Sequence, residues 1–457
     1  MPVVKKITYY FLYFLIILLL ASVCVGIIFY ASGYRLNTKA MEIQKTGLLI
    51  IDCKEDNIEI YIDGTEEEVK KNILPHIISS PYSLVMLPGE YDLEIKKEGK
   101  IPYKDHIVIE PELITKIKDL ILFPEEINKE TVLEEEIFNF AISPDNKKII
   151  YTDNFNDVRI HNIEDRSDEK EKKDEIVLDN ILFSNKTVSS YIWSPNNSKV
   201  IIKISDPESI FNYLLDLNNL ENSYFLHEKF SYVPFFEETF FSEKNPHELF
   251  GIADGNFYSI NTATLNIKKI DEDIDSLKKE GSYVYYYKIK RGEIIQFDTN
   301  IYKKTVIKED FERMEDFQIN SLSNNREFYI KNGGKIYLVK NKGGCDPLDE
   351  NVDQAFFDKE NNNFYYTKGF ELWFYDKGEK TLITRFSKQI NDLKKYYNDN
   401  YLIYTYYDGI GIIKHNGKND TEVESGVRIE FIKTIDKNKI IIVEQKEHLK
   451  SFNILEL

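Results

Sequence analysis

Two stretches of this chain are written on the same plan. Residues 140–151 (FAISPDNKKIIY) and 191–202 (YIWSPNNSKVII) each read as strand, Ser-Pro-Asp/Asn turn, strand. Looser copies follow at 240–246, near 274–287, at 320–325, at 355–361, at 390–404 and at 429–443. Most copies continue into a further strand rich in Tyr or Ile, as at 335–339 (KIYLV) and 371–376 (ELWFYD). Self-similarity at a period of about 40–50 residues is the mark of a repeat architecture, and strand-turn-strand units of that length restrict the choice sharply.

A lone four-stranded sheet cannot bury both of its faces. Sheets stacked around a common axis cover one another and leave only short edges. About eight units therefore predict a seven- or eight-bladed β-propeller over residues 130–457. Two β-sandwich domains in series are the rival, and repetition along the whole length argues against them. An aromatic share of 14%, with Tyr 31 and Phe 29, fits pleated, half-buried surfaces, although codon bias also contributes. The Ser-Pro-Asp-Asn-Lys-Lys turn resembles the repeats of TolB-like, WD40-like and prolyl-oligopeptidase-type propellers. That similarity implies a fold and carries no site.

Ahead of the repeats lies a run of the opposite character. Residues 7–29 (ITYYFLYFLIILLLASVCVGIIF) carry no charge. As a helix they would reach about 34 Å, enough to cross a hydrocarbon core of about 30 Å. Tyr9, Tyr10 and Tyr13 stand near one end and Tyr30 and Tyr34 near the other, where amphipathic rings prefer the interface. Residues 7–31 are thus predicted as a transmembrane helix behind a short tail, residues 1–6. A cleaved signal peptide has an apolar core of about 7–15 residues. Here the run continues through Phe29, which favours a retained anchor over cleavage after Ala31 or Ser32. A lipoprotein reading of Ala21-Ser22-Val23-Cys24 meets Val where a small residue should precede the Cys. Flanking charge is nearly even, with Lys5 and Lys6 on one side and Arg35, Lys39 and Lys45 on the other. A short tail and a long C-terminal body favour a cytoplasmic N-terminus and an extracytoplasmic body.

Residues 45–124 read as short strands with Gly and Pro punctuation. Ile58, Ile60 and Ile62 alternate along one face and end at Asp63-Gly64; Pro88-Gly89-Glu90-Tyr91 leads into Leu93 and Ile95, which alternate with Asp92 and Glu94. A small antiparallel β-sandwich is predicted. The segment resembles the PEGA domain family in residues 47–52, in Glu59-Ile60-Tyr61-Ile62-Asp63-Gly64, in Pro81-Tyr82, in the Pro88-Gly89-Glu90-Tyr91 turn and in residues 97–103, with 66–80 as an insertion. Such domains recur outside the membrane in bacterial and archaeal envelope proteins. The resemblance implies the same placement here, and the family carries no catalytic residues.

Chemistry is harder to find. The net charge of −18, with no basic cluster, argues against nucleic acid as a partner. Cys24, Cys53 and Cys345 make neither a disulfide framework nor a metal motif. The chain has no Gly-x-Ser-x-Gly elbow, no HExxH and no Walker loop. The seven histidines have no ligand-like spacing. Asp358, Glu360 and Asn362 alternate as in a calcium loop, but Asn363 stands where Gly is needed and no Glu follows at the twelfth place. Asp271 and Asp273 are paired carboxylates in a chain with Asp+Glu 77. The charged run 162–175 reads as a solvated loop of the first blade.

No catalytic, cofactor-binding or metal-binding residue is assigned, and no cofactor is expected. The all-β chain behind its helix is expected to be a single-pass cell-membrane protein of a bacterial envelope. Its role would be binding or scaffolding, and the propeller would offer a platform to an envelope protein or glycan. The alternative is an envelope enzyme of glycosidase or lyase type, with its site in the propeller axis.

Overall fold

The computed structural model describes residues 2–37, 41–67, 81–163, 175–179, 186–207, 209–230, 235–313, 318–321, 328–339, 345–358, 363–376, 378–396, 400–436, 439–446 and 449–457. The chain divides into two compact units, Met1–Ile127 with Leu457 and Asn128–Glu456. The turn copy at 322–325, Glu360 and Asn362 of the calcium-like alternation, most of the charged run and most of the 66–80 insertion lie outside the described residues.

The first unit opens with the helix Pro2–Ala31. Its stretch Phe11–Ala31 has a mean hydropathy of 2.9 and none of it is buried against protein, so by length and composition it fits a membrane anchor or a leader. A short hairpin, Tyr34–Asn37 with Glu42–Lys45, follows. Two sheets then face each other. One places Gly47–Cys53 between Tyr82–Met86 and Ile114–Leu120; the other runs in the order Thr65–Glu66, Glu59–Ile62, Gly89–Lys96, Tyr103–Ile109. Leu49, Ile51, Ile60, Leu93, Ile95 and Ile107 close a shared core. Asp63 and Gly64 both take positive φ, +49° and +77°, as a tight two-residue hairpin requires.

This sandwich is not wholly antiparallel, as the sequence reading had it. Gly47–Cys53 and Ile114–Leu120 run parallel. Tyr103–Ile109 is an edge strand, so the chain leaves its sheet there and enters the other one beside its first strand. Gly47 permits that approach, because a Cβ at this position would collide with the Glu110 carbonyl and Ile109.

The second unit is a β-propeller. Among the described residues, six four-stranded sheets and one seven-stranded sheet are formed. The long sheet is two blades joined by one strand. Asn128–Ile142 pairs through its residues 128–136 with Leu449–Glu456 of the last blade. Through residues 137–142 it pairs with Lys148–Asp153 of the first. That makes eight blades, and the ring is closed by a strand from the unit's start.

Apolar clusters lie between neighbouring blades. Ile150 meets Val200 and Val188 between the first and second. Phe250 meets Tyr286 and Phe297 between the third and fourth. Ile149 and Tyr151 meet Val443 and Phe452 between the first and last. Each inner sheet is covered on both faces, so middle strands are apolar without alternation. Tyr401–Tyr406 and Gly409–Lys414 are buried throughout, whereas an outer strand such as Lys303–Lys308 is mostly exposed.

The repeated turn is explained by its hydrogen bonds. Ser143 Oγ donates to Asp145 Oδ1 (2.6 Å) and accepts from the Lys148 amide (2.9 Å). Ser194, Asn196 and Lys199 repeat this at 2.9 and 2.9 Å. Asn146 and Asn197 take φ of +61° and +58°, a region Asn tolerates better than most residues. The serine therefore bridges a tight turn.

Phe452 is fully buried at the closure, edge-on to Phe140 at 4.8 Å. Phe452→Ala should cost about 3–5 kcal/mol of unfolding free energy in urea melts, while Phe138→Ala, at an exposed position, should change it by less than about 0.5 kcal/mol.

Candidate functional site

Residues singled out in the sequence are dispersed. Cys53 is half-buried, and burial pushes its thiol up to about 11. Cys345 is also half-buried, with its thiol raised by burial. His106 pairs with Asp92 (2.9 Å) and Glu90 on the small domain. His227 packs among Phe211, Phe225 and Phe235. His247 Nδ1 lies 3.2 Å from Lys199 Nζ. His76 and His448 lie outside the described residues. Asp358 pairs with Lys395 at 3.2 Å. Among the described residues, no three His, Cys, Asp or Glu side chains converge as a metal site.

Asp271 has a defined role that its commonness hid. It sits on the outer strand of the third blade and bonds forward into the fourth. Its carboxylate accepts from Tyr286 Oη (2.7 Å), Lys288 Nζ (2.7 Å) and Lys304 Nζ (2.8 Å). Lys304 also donates to the Ile270 carbonyl (2.7 Å). Asp349 on the fifth blade repeats the arrangement with Tyr366 (2.8 Å) and Lys368 (2.9 Å) of the sixth, while Lys380 donates to the Leu348 carbonyl (3.0 Å). Burial alone would raise these carboxyls. The ammonium and phenol donors outweigh it, holding Asp349 down at about 2 and Asp271 well below the usual carboxylate range. These are clasps between blades.

A pocket lies where the apolar interface of the third and fourth blades runs out at the rim. Along Glu248–Ala253, Asn256–Asn261 and Asn266–Glu272, register aligns Glu248 with Asn261 and Asn266, and Phe250 with Ser259 and Lys268. Phe250 still belongs to the core; beyond it this face turns polar. Tyr302, in the turn before Lys303–Lys308, folds over it. Its ring lies edge-on to Phe297 at 5.6 Å, and its φ is +54°. Glu248, Ser259, Asn261, Thr264, Lys268 and Tyr302 line an open pocket of about 290 Å³, with Asn266 beside them.

Inside, the Tyr302 phenol donates to Glu248 Oε1. Ser259 Oγ lies 3.1 Å from the same oxygen and 2.8 Å from the phenol. Burial, then the Glu248 bond, pushes the phenol up to about 12, so it remains a neutral donor. Asn261 Oδ1 is taken by the amides of Ala263 (3.0 Å) and Thr264 (2.9 Å), which turns its NH2 toward other partners. Lys268 Nζ stands 5.3 Å from the Tyr302 ring centroid. The pocket therefore offers amide and hydroxyl groups, one carboxylate, one ammonium and an aromatic edge. No single residue of this set was visible beforehand, because it is assembled by cross-strand register and a turn of the next blade.

The fold has many solved counterparts. A structure described as the eukaryotic initiation factor matches with a TM-score of 0.50 at 10% identity, covering 70% of this chain and 90% of that one. The Dos1 propeller matches with a TM-score of 0.46 at 11% identity, covering 72% and 94%. Dipeptidyl peptidase 4 of Porphyromonas gingivalis matches with a TM-score of 0.46 at 12% identity, covering 69% and 56%. No family model matches the sequence, and no curated protein does. The larger unit is a β-propeller. At this identity the likeness speaks to fold alone.

The clasps make stability depend on acid. A carboxyl whose folded pKa lies below its unfolded value of about 3.9 stabilises the fold fully above about pH 5, and that contribution is lost as pH falls toward about 2. Asp349→Asn should lower stability at pH 7 and flatten the loss between about pH 5 and 2, as read by urea melts across that range.

Proposed function

We propose that this protein is a single-pass, membrane-anchored binding protein of a bacterial cell envelope, with a cytoplasmic N-terminus and an extracytoplasmic body. The residues of the first unit that resemble PEGA domains support a spacer next to the membrane. The propeller is the recognition module, and its partner is an envelope glycan held in the rim pocket of the third and fourth blades. The observation that carries this reading is the pocket's chemistry. Amide and hydroxyl groups of Asn261, Thr264 and Asn266 suit the paired donors and acceptors of a sugar. An aromatic edge and balanced charge suit a neutral ligand better than a phosphate or a cation. The role is non-catalytic: the glycan is bound and not turned over.

Full-length protein in detergent should bind soluble fragments of envelope polysaccharide in calorimetry. Asn261→Ala and Asn266→Ala should each weaken binding by about 10-fold, on the scale of a lost hydrogen bond to a neutral group. Unchanged affinity in both variants would move the site elsewhere. Recovery of shortened fragments by mass spectrometry would favour the glycosidase or lyase reading. A thiol introduced by Glu98→Cys should be labelled from outside intact cells, and failure to label would reverse the topology.

A further inference from the structure

The hairpin after the helix exposes an apolar pair that nothing among the described residues of its own unit covers. Only Ser32 and Gly33 separate Ala31 from Tyr34. The register pairs Tyr34 with Lys45, Arg35 with Gln44, Leu36 with Ile43 and Asn37 with Glu42. Alternation puts Tyr34, Leu36, Ile43 and Lys45 on one face and Arg35, Asn37, Glu42 and Gln44 on the other. Leu36 and Ile43 face each other across the strands, yet they are 59% and 62% exposed, and Met41 beyond them is 80% exposed. The opposite face is polar, and on it Asn37 Nδ2 donates to Gln44 Oε1 (3.1 Å).

The hairpin is also fixed to the helix end. Thr46 donates to the Gly33 carbonyl through both its amide and its hydroxyl, each at 2.9 Å. Arg35 donates to the Tyr30 carbonyl (2.8 Å) and stacks on the Tyr30 ring at 3.6 Å. A second exposed apolar pair, Leu113 and Ile114, is bound to the hairpin's base, since Glu112 N donates to Thr46 O (3.0 Å) and Leu48 N to Leu113 O (3.0 Å). Lys45 is paired with Glu112 there.

Ser32 and Gly33 form a turn, and two residues carry the chain at most about 7 Å. A polar interface is about as deep as that on each side of the hydrocarbon. A hairpin that starts this close to the end of a spanning helix therefore starts within the headgroup layer. Apolar side chains there find acyl chains, while Arg35 and Lys45 reach the headgroups.

We propose that the hairpin Tyr34–Asn37 and Glu42–Lys45 is a membrane-contact element. Its Leu36–Ile43 pair, with Met41, occupies the acyl–headgroup boundary of the leaflet from which the helix emerges, and it orients the small β-domain on that surface. This rests on the reading of the helix as a retained anchor. The occupant is lipid, because the exposed pair continues directly from the lipid-facing helix.

The full-length chain, reconstituted in phosphatidylcholine vesicles, tests this with single added tryptophans read above the constant signal of Trp193 and Trp373. Leu18→Trp marks the mid-helix, Leu36→Trp and Ile43→Trp mark the apolar face, and Gln44→Trp marks the polar face. With acyl chains brominated near the headgroup, the added emission at positions 36 and 43 should fall about twofold, while that at 44 should stay constant and respond to aqueous iodide. Loss at 18, strongest with bromines near the chain ends, should accompany it. If 18 is quenched and 36 and 43 are not, the proposal fails and the anchor stands. Protection of 36 and 43 from bromine and iodide alike would place protein over the pair and also overturn it. If 18 is not quenched, the anchor reading fails and takes the proposal with it.

Discussion

Everything in the larger unit depends on one strand serving two sheets. Asn128–Ile142 gives its first residues to the last blade and its final ones to the first. A row of blades without such a strand would leave an uncovered face at each end and an open outer edge on the last blade. With it, the ladder runs from the start of the unit to its end. The cluster of Leu133, Ile137, Tyr151, Val443 and Phe452 then becomes one more inter-blade core like those elsewhere in the ring. Closure couples residues more than three hundred positions apart, and it makes the ring's stability a property of the whole.

Polar groups reinforce the same contacts without interrupting them. Asp271 and Asp349 sit on outer strands, where solvent still reaches part of the sheet, and they collect Tyr and Lys donors from the next blade. Such a carboxylate is not left unpaired, which would be costly in a partly buried place. The two clasps lie two blades apart and use the same residue types, Asp against Tyr-x-Lys, so they are echoes of the repeat. The rim pocket has the same origin. Where the Phe250, Phe257 and Phe297 core ends, the alternation continues outward with Glu248, Ser259, Asn261 and Lys268, and the turn of the neighbouring blade supplies Tyr302.

In the smaller unit the governing constraint is proximity to the helix. Gly47 sits against the Glu110 backbone, Thr46 holds the Gly33 carbonyl, and the sandwich core begins at Leu49. Of the apolar side chains left outside that core near the end of the helix, Leu36, Met41 and Ile43 belong to the hairpin and Leu113 and Ile114 to the sandwich at its base.

Read alone, the sequence determined the apolar helix, the all-β character and the repeating blades, because each is written in local patterns: an uncharged run, short β-rich segments and a recurring Ser-Pro-Asp/Asn turn. It also placed the Asp63-Gly64 hairpin, since few residue pairs take two positive φ values easily. Only the tertiary structure decided how the ring closes, because residues 128–136 pair with a strand at the far end of the chain and carry no copy of the repeat. It decided that Gly47–Cys53 and Ile114–Leu120 lie parallel, through a crossover between sheets that no local pattern records. It decided the roles of Asp271 and Tyr302 as well. An aspartate or a tyrosine in a chain rich in both acquires meaning only from what register and the neighbouring blade bring within hydrogen-bond reach.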